Sequence, residues 1–364
     1  MKKFLVLLLS LLLCISLFAC TNGSITDDNK PGGNTPTDGT QDDDNNPGEE
    51  NPDDNKPGEG TPDGDNTAKE LVKIYLPDGA PALSLVSVFD KTEIGGYPVK
   101  FTVVPSSNIA SYLMNGTADL AIVPTNAAAI IYNRENPYKY ISANTHGNLF
   151  MIGREETNSL ADLKGKVVGV IGQGQVPDLI FRTLLEKAGI EYEVGDKPIK
   201  NKVALYYAQD GGVLLPLIKQ GRVSYGVLGE PAVTTALSNI EGSKVVFDIQ
   251  QLWGDGYPQA GLMAKDSVSD EFINALFAEL EQNEAYAENN PNEAKERIAA
   301  HMIESSETTV KVLTEDTVKR CNVRLVRAEE CKDGVIEFLT AFYSLEPSSI
   351  GGKLPDDNFF RIVK

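Results

Sequence analysis

Three regimes of hydrophobic patterning succeed one another along the chain. Residues 4–19 are almost wholly apolar and follow Lys2 and Lys3. Residues 21–68 carry hardly any large apolar side chain. From residue 69 onward, short apolar runs alternate with segments bearing an apolar stripe at helical spacing. That alternation layers helices around parallel sheets. The runs at 71–76, 99–104 and 119–123 predict strands, followed by helices at 81–90, 108–115 and 126–132. Residues 140–152 read as extended chain crossing to a second unit. That unit opens on a short helix at 159–165, ending at Gly165. Strands at 166–171, 202–207, 225–228 and 244–248 follow, with helices at 176–188, 213–220 and 231–238. Gly189 stops the first of these helices. Residues 259–264 are extended and return to the first unit, and helices from residue 270 to the C-terminus pack there.

Residues 69–364 exceed the usual reach of one hydrophobic core, so two lobes are expected. The sequence assigns 69–157 and 262–364 to lobe 1, and 158–261 to lobe 2. The fold class is α/β, each lobe a mostly parallel sheet flanked by helices, joined by two extended crossovers. No repeat of solenoid length occurs. The first apolar run falls short of the roughly 20 residues that span a bilayer. With Ala19 closing it, residues 1–19 read as an export signal. The stretch Leu17-Phe18-Ala19-Cys20 resembles the bacterial lipobox, with Phe18 departing from the usual small residue. The resemblance implies cleavage before Cys20 and lipidation of its thiol, giving a membrane anchor. Ordinary secretion with a free cysteine is the alternative.

Composition sharpens this picture. Residues 21–68 cannot bury enough surface to offset their ordering entropy, so they read as a tether. Its reach is on the order of 40 Å. The tether holds 2 basic and 13 acidic residues, and residues 69–364 hold 29 basic and 39 acidic ones. An acidic globular part argues against nucleic acid, whose binders present a basic face. Cys321 and Cys331 are the cysteines left in the globular part. Their spacing allows a disulfide in an oxidising compartment, and two buried thiols fit equally well. No cysteine-rich metal spacing exists, and neither metal nor cofactor is expected.

Ligands of open parallel sheets lie beyond the carboxyl ends of the strands. After the first strand comes Pro77-Asp78-Gly79-Ala80-Pro81, with proline suited to a first helical turn. Ser106 and Ser107 follow the second strand, and Thr125 and Asn126 the third, each at a helix start. The second unit offers Gly172-Gln173-Gly174 and later Glu230 in the same kind of position. Free N–H groups and positive dipole ends at these helix starts would face one opening. Asn144 and His146 lie on the crossover, and Trp253 and Tyr257 are available to stack on a ring. Polar caps and turn glycines also end ordinary α/β strands, so the pattern indicates a cleft and not a particular ligand.

Four segments carry a family resemblance. They are Pro77-Asp78-Gly79-Ala80-Pro81-Ala82-Leu83, residues 116–124 (GTADLAIVP), residues 160–169 (LADLKGKVVG) and residues 221–231 (GRVSYGVLGEP). In order and spacing the chain resembles solute-binding proteins of the nitrate/sulfonate/taurine and thiamine-pyrimidine (NMT1/THI5-like) group of ABC importers. The resemblance implies a type II periplasmic-binding-protein fold that closes around a small molecule. It implies an ABC permease and ATPase as partners, with the binding protein acting as a monomer and not as an enzyme. Ser224 and Tyr225 stand where the family often has Asp-Ala, so no contact carries over there.

No predicted cleft loop contains the arginine that a sulfonate or nitrate site usually uses. Asp78, Asp178 and Glu230 near the opening suit a neutral or cationic heterocycle such as a pyrimidine. An anion is the alternative. Gly172-Gln173-Gly174 lacks the third glycine of a dinucleotide fingerprint, since position 177 is proline. A thiamine-pyrimidine synthase-like enzyme would need a cysteine-histidine cluster that His146, His301 and the two late cysteines do not supply. A ligand-sensing surface receptor would use the same cleft. Replacing Cys20 with Ser should release the protein into the medium, read by immunoblotting membrane and supernatant fractions. Retention in the membrane fraction would rule out the lipid anchor.

Overall fold

The computed structural model describes residues 69–363 apart from 255 and 305. The expected export signal, Cys20 and tether lie outside the described residues. The described residues fall in one compact unit, Asp65–Lys364.

The first lobe begins with β1 (Val72–Pro77), α1 (Ala80–Leu83), β2 (Glu93–Ile94), β3 (Tyr97–Val104) and α2 (Ile109–Met114). It continues with β4 (Leu120–Pro124), α3 (Thr125–Asn133) and β5 (Tyr138–Thr145). The chain then enters the second lobe through β6 (Leu149–Gly153), β7 (Val167–Ile171), α4 (Val176–Lys187), β8 (Tyr192–Val194) and β9 (Val203–Ala208). There follow α5 (Gly211–Lys219), β10 (Tyr225–Gly229), α6 (Ala232–Asn239), β11 (Lys244–Asp248) and α7 (Ile249–Trp253). It returns with β12 (Ala260–Lys265), α8 (Asp270–Leu280), α9 (Asn283–Asn289), α10 (Pro291–Ala300), α11 (Glu315–Cys321), β13 (Val323–Arg327) and α12 (Ala328–Leu345).

The strands form two sheets, ordered β13-β5-β12-β4-β1-β3-β2 and β11-β6-β10-β7-β9-β8. β1 runs parallel to β3 and β4, and β7 parallel to β9 and β10. The antiparallel strands β6 and β12 sit beside the crossovers. Residues 146–148 carry the chain out of the first sheet, and residues 249–259 bring it back. The sheets therefore exchange at these points, earlier than the boundaries at 157 and 261 read from sequence. β6 is short and apolar throughout, so its pattern does not say which sheet it joins.

Two further departures have local causes. The segment expected as one helix over 81–90 splits into α1 and a 3-10 turn at Val86–Val88. The Ser84 hydroxyl donates to the Pro81 carbonyl at 2.7 Å, and Leu85 N–H bonds back three residues to Ala82. Such bonding tightens a helix end. β13 interrupts what read as a purely helical C-terminal region. It is an edge strand on β5, of a length that helical flanks conceal.

Burial on both sheet faces explains the near-continuous apolar strands. One core, behind α2, α3, α4 and α12, includes residues of both sheets, among them Val123, Tyr140, Val168 and Val227. On the opposite face the lobes keep separate cores, one behind α1 and α8 to α11 and one behind α5 and α6. Gly261 on β12 lets Tyr140 lie flat against the sheet. A Cβ at Gly261 would overlap the Tyr140 ring and its hydroxyl. Gly261→Ala should therefore cost about 1–3 kcal/mol, the usual range for overpacking. Urea unfolding would measure it, and an unchanged midpoint would refute the close approach.

Candidate functional site

The register of the strands fixes where their carboxyl ends point. β5 ends at Thr145 on the outgoing crossover, and β12 begins beside it, antiparallel to both β5 and β4. So β4, β1 and β3 also end on the crossover side. In the second sheet β6 begins at the crossover and pairs Leu149 with Gly229, the last residue of β10. β7, β9 and β8 run parallel to β10 and end on the same side. The carboxyl edges of both sheets thus meet at the crossovers, with the helix starts that follow them. This is the place where open α/β sheets bind ligands.

In lobe 1 the expected residues are engaged mainly with one another and with late parts of the chain. Ser106 donates from its hydroxyl to the Asp78 carbonyl at 3.0 Å. The Asp78 carboxylate accepts from Thr308 Oγ1, Thr309 N and Thr309 Oγ1, each at 2.6 Å. Asp78 therefore pins the segment before α11 to the end of β1. Gly79, at φ 106, makes the turn into α1. Ser107 is exposed and donates to Asn108 Oδ1. Thr125 is buried and donates to the Pro258 carbonyl at 2.6 Å, tying α3 to the returning crossover. Asn126 donates to the Ser349 carbonyl at 3.1 Å, while its own Oδ1 is buried and unpaired. Asn144 Oδ1 accepts from Leu262 N and Ser142 Oγ, and its Nδ2 is likewise unpaired.

In lobe 2 the loop Gly172-Gln173-Gly174 leads into α4, and the first turn of that helix bonds back to it through Asp178. Asp178 is fully buried and accepts from Gly174 N at 2.8 Å, Arg182 Nε at 3.0 Å and Tyr207 Oη at 2.7 Å. Arg182 Nη2 donates to Glu346 Oε2 at 2.8 Å, at the end of α12. Burial opposes the charge on Arg182, yet the Glu346 and Asp178 carboxylates outweigh it and raise its pKa. Burial, reinforced by Asp178, pushes the Tyr207 phenol well above its ordinary range. Arg182 in turn draws the Glu346 carboxyl below the usual value. Gln173, Gly174, Arg182, Tyr192, Val194, Tyr207 and Glu346 line a cavity of ≈ 360 Å³. Arg182, Tyr192, Val194, Tyr207 and Glu346 are lining residues that sequence reading missed, and Arg182 is the charged centre among them. It lies inside a helix, four residues after Asp178, and not in a strand-end loop. An Asp–Arg pair at i, i+4 below a glycine loop was the available signal.

Two expected residues take other roles. The Glu230 side chain has no exposure and accepts from Arg320 Nε at 2.7 Å, Thr234 N at 3.0 Å and Thr234 Oγ1 at 3.1 Å. Tyr257 is buried, stacks on Phe338 at 5.5 Å between centroids and donates to Gln250 Oε1. Trp253 packs against the same two rings. Tyr257 and Phe338 are core and half-buried Trp253 packs on them, in place of the stacking platform expected from sequence. Cys321 and Cys331 are both free. They sit in cores on opposite faces of the first sheet, so no bridge joins them. Burial raises the Cys331 thiol to about 11 and the Cys321 thiol further. Among the described residues no group of acidic, histidine and cysteine side chains is arranged to hold a metal, and no helix is long and apolar enough to cross a membrane.

Residues 98–196 match the family model described as NMT1/THI5 like. No curated protein matches the chain. Among solved structures, an ABC transporter protein from Parabacteroides distasonis is 24% identical with a TM-score of 0.67, covering 81% of this chain and 99% of that one. The periplasmic aliphatic sulphonate binding protein of Escherichia coli is 15% identical with a TM-score of 0.58, covering 78% and 90%. The alkanesulfonate-binding protein of Xanthomonas axonopodis pv. citri, bound to MOPS, is 14% identical with a TM-score of 0.52, covering 79% and 94%. The chain has the periplasmic-binding-protein fold.

The crossovers of this chain carry a polar layer between the lobes. Here Gln259 Nε2 donates to Asn148 Oδ1 at 2.8 Å, and Asn148 Nδ2 donates to the Glu230 carbonyl. Asn148 N–H and Leu149 N–H donate to the side-chain oxygens of Gln259 and Gln250. His146 is buried among these groups, with Nε2 3.2 Å from the Arg324 carbonyl. Burial, then the Arg324 charge, lowers its pKa from 6.5 to about 4. Between those values the unfolded chain holds a proton that the folded chain does not, so stability is lost as pH falls through that window. The component is on the order of 3 kcal/mol. His146→Gln should lose less stability than the parent between about pH 7 and pH 4 in urea titrations. Parallel losses would show that His146 does not titrate this way.

Proposed function

We propose that the chain is the extracytoplasmic, lipid-anchored binding component of an ABC importer. It captures a small molecule between its lobes and presents it to a permease and its ATPase. The observation that carries this reading is the meeting of both carboxyl edges at two crossovers, with a cavity opening beside one of the glycine loops. The likeness in fold to the E. coli and Xanthomonas binding proteins supports it, as does the lipobox resemblance at Cys20. The same capture step would serve a surface sensor.

For the ligand, a neutral or cationic ring compound of pyrimidine type fits the cavity best. The one lining guanidinium, Arg182, is already matched by the lining carboxylate of Glu346 and by Asp178 buried behind it, and the phenols of Tyr192 and Tyr207 supply ring surface. A volume of ≈ 360 Å³ lies within the usual range for small-molecule sites. Arg182 also favours a second reading, an anionic sulfonate that would displace Glu346 from its outer edge. The two differ in what calorimetry should detect. An aminopyrimidine should bind and taurine should not, and the reverse result selects the anion.

The site within the lobes is open to a direct test. Gln173 is exposed at the cavity mouth, so Gln173→Trp should leave the fold intact. It should weaken binding of whichever compound is found by at least about tenfold, or roughly 1.4 kcal/mol. Unchanged affinity in a correctly folded variant would place the ligand elsewhere.

A further inference from the structure

The boundary between the lobes is built differently on its two faces. On one face a single apolar core runs through both lobes. Helix α12 supplies Val335, Phe338, Leu339 and Phe342 to it, and α4 supplies Phe181, Leu184 and Leu185. Phe338 stacks on Tyr257 of the returning crossover and meets Trp253 and Phe342. Arg182 and Glu346 close that seam at its edge.

On the other face the two cores stop short of each other. There α6 and α11 meet through polar groups. Arg320 Nε donates to Glu230 Oε1 at 2.7 Å, and Arg320 Nη2 donates to Thr234 Oγ1 at 2.9 Å. The hydroxyls of Thr234 and Thr317 lie 3.1 Å apart. Parting the aromatic seam would bring apolar surface into water with nothing gained in return. Parting the polar seam exchanges hydrogen bonds for bonds to water, a modest net cost per bond because the freed groups become hydrated. The crossovers hold Gly147 at φ 91 and Gly256 at φ 100, backbone positions suited to a pivot.

We propose that the lobes pivot about the α4–α12 seam and part at the α6–α11 seam, with Arg320 on Glu230 as the latch. The device concerns the mechanics of the lobes and needs no ligand, so it stands or falls apart from the binding reading. It gives Glu230 a role in holding the lobes and not in touching the captured molecule.

Distance measurement by pulsed electron resonance on the full-length protein in detergent tests the latch. Spin labels on encoded non-natural residues replace exposed Ser238 and Asp316 across the polar seam. A second pair replaces exposed Glu186 and Glu337 across the aromatic seam. Arg320→Ala should lengthen or broaden the 238–316 distribution and leave 186–337 unchanged, and Arg320→Lys should restore part of the parent distribution. The double variant Glu230→Gln/Arg320→Met leaves no buried unpaired charge, so it keeps the test available if Arg320→Ala unfolds. It should open the same seam. An unchanged 238–316 distribution in the double variant, or equal widening at both seams, would overturn the proposal.

Discussion

Helix α12 is the constraint on which the rest of the architecture depends. Its apolar face is buried by elements of both lobes, and Phe338 sits against Tyr257, Trp253 and Phe342. Each such ring contributes roughly 1.5–3 kcal/mol when fully buried. The lobes therefore cannot separate on that side without exposing a continuous aromatic cluster. Apart from the Arg182–Glu346 pair at the edge of that seam, the polar contacts described between them lie at the crossovers and on the opposite face.

That displacement has a chemical consequence. Buried polar groups need partners, and the crossover residues find them in each other. Asn148, Gln259, Gln250 and the Glu230 carbonyl are bonded within this layer, while the His146 ring meets the Arg324 carbonyl of β13. The exceptions are Asn126 Oδ1, Asn144 Nδ2 and Thr145 Oγ1, buried and unpaired along the carboxyl edge of the first sheet. Ordered water is the ordinary remedy for such groups. Asp178 does similar work in lobe 2, where one carboxylate holds a glycine loop, a guanidinium and a phenol at once.

The strand-end loops were legible because turn chemistry is local. Glycine, proline and helix-capping residues announce where strands stop, and Pro77–Pro81, Thr125 and Gly172–Gly174 all lie at such stops in the structure. The partners of Glu230 and Asp78 were not legible. Arg320 and Thr308 lie far away in sequence, and nothing local links them to those carboxylates. Tyr257 was misread for the same reason: an aromatic beside a crossover reads alike whether it lines a cleft or stacks on a distant helix.

By itself the sequence determined the alternation of strands and helices, the α/β class, the two crossovers and the strand ends that carry polar turns. These follow from patterns a few residues long, where the physics is local. Only the tertiary structure decided which sheet takes β6, that β13 edges the first sheet, that Arg182 reaches a cavity and that the two cysteines lie on opposite faces. Those outcomes depend on packing between segments remote in the chain, which composition and spacing do not encode one segment at a time.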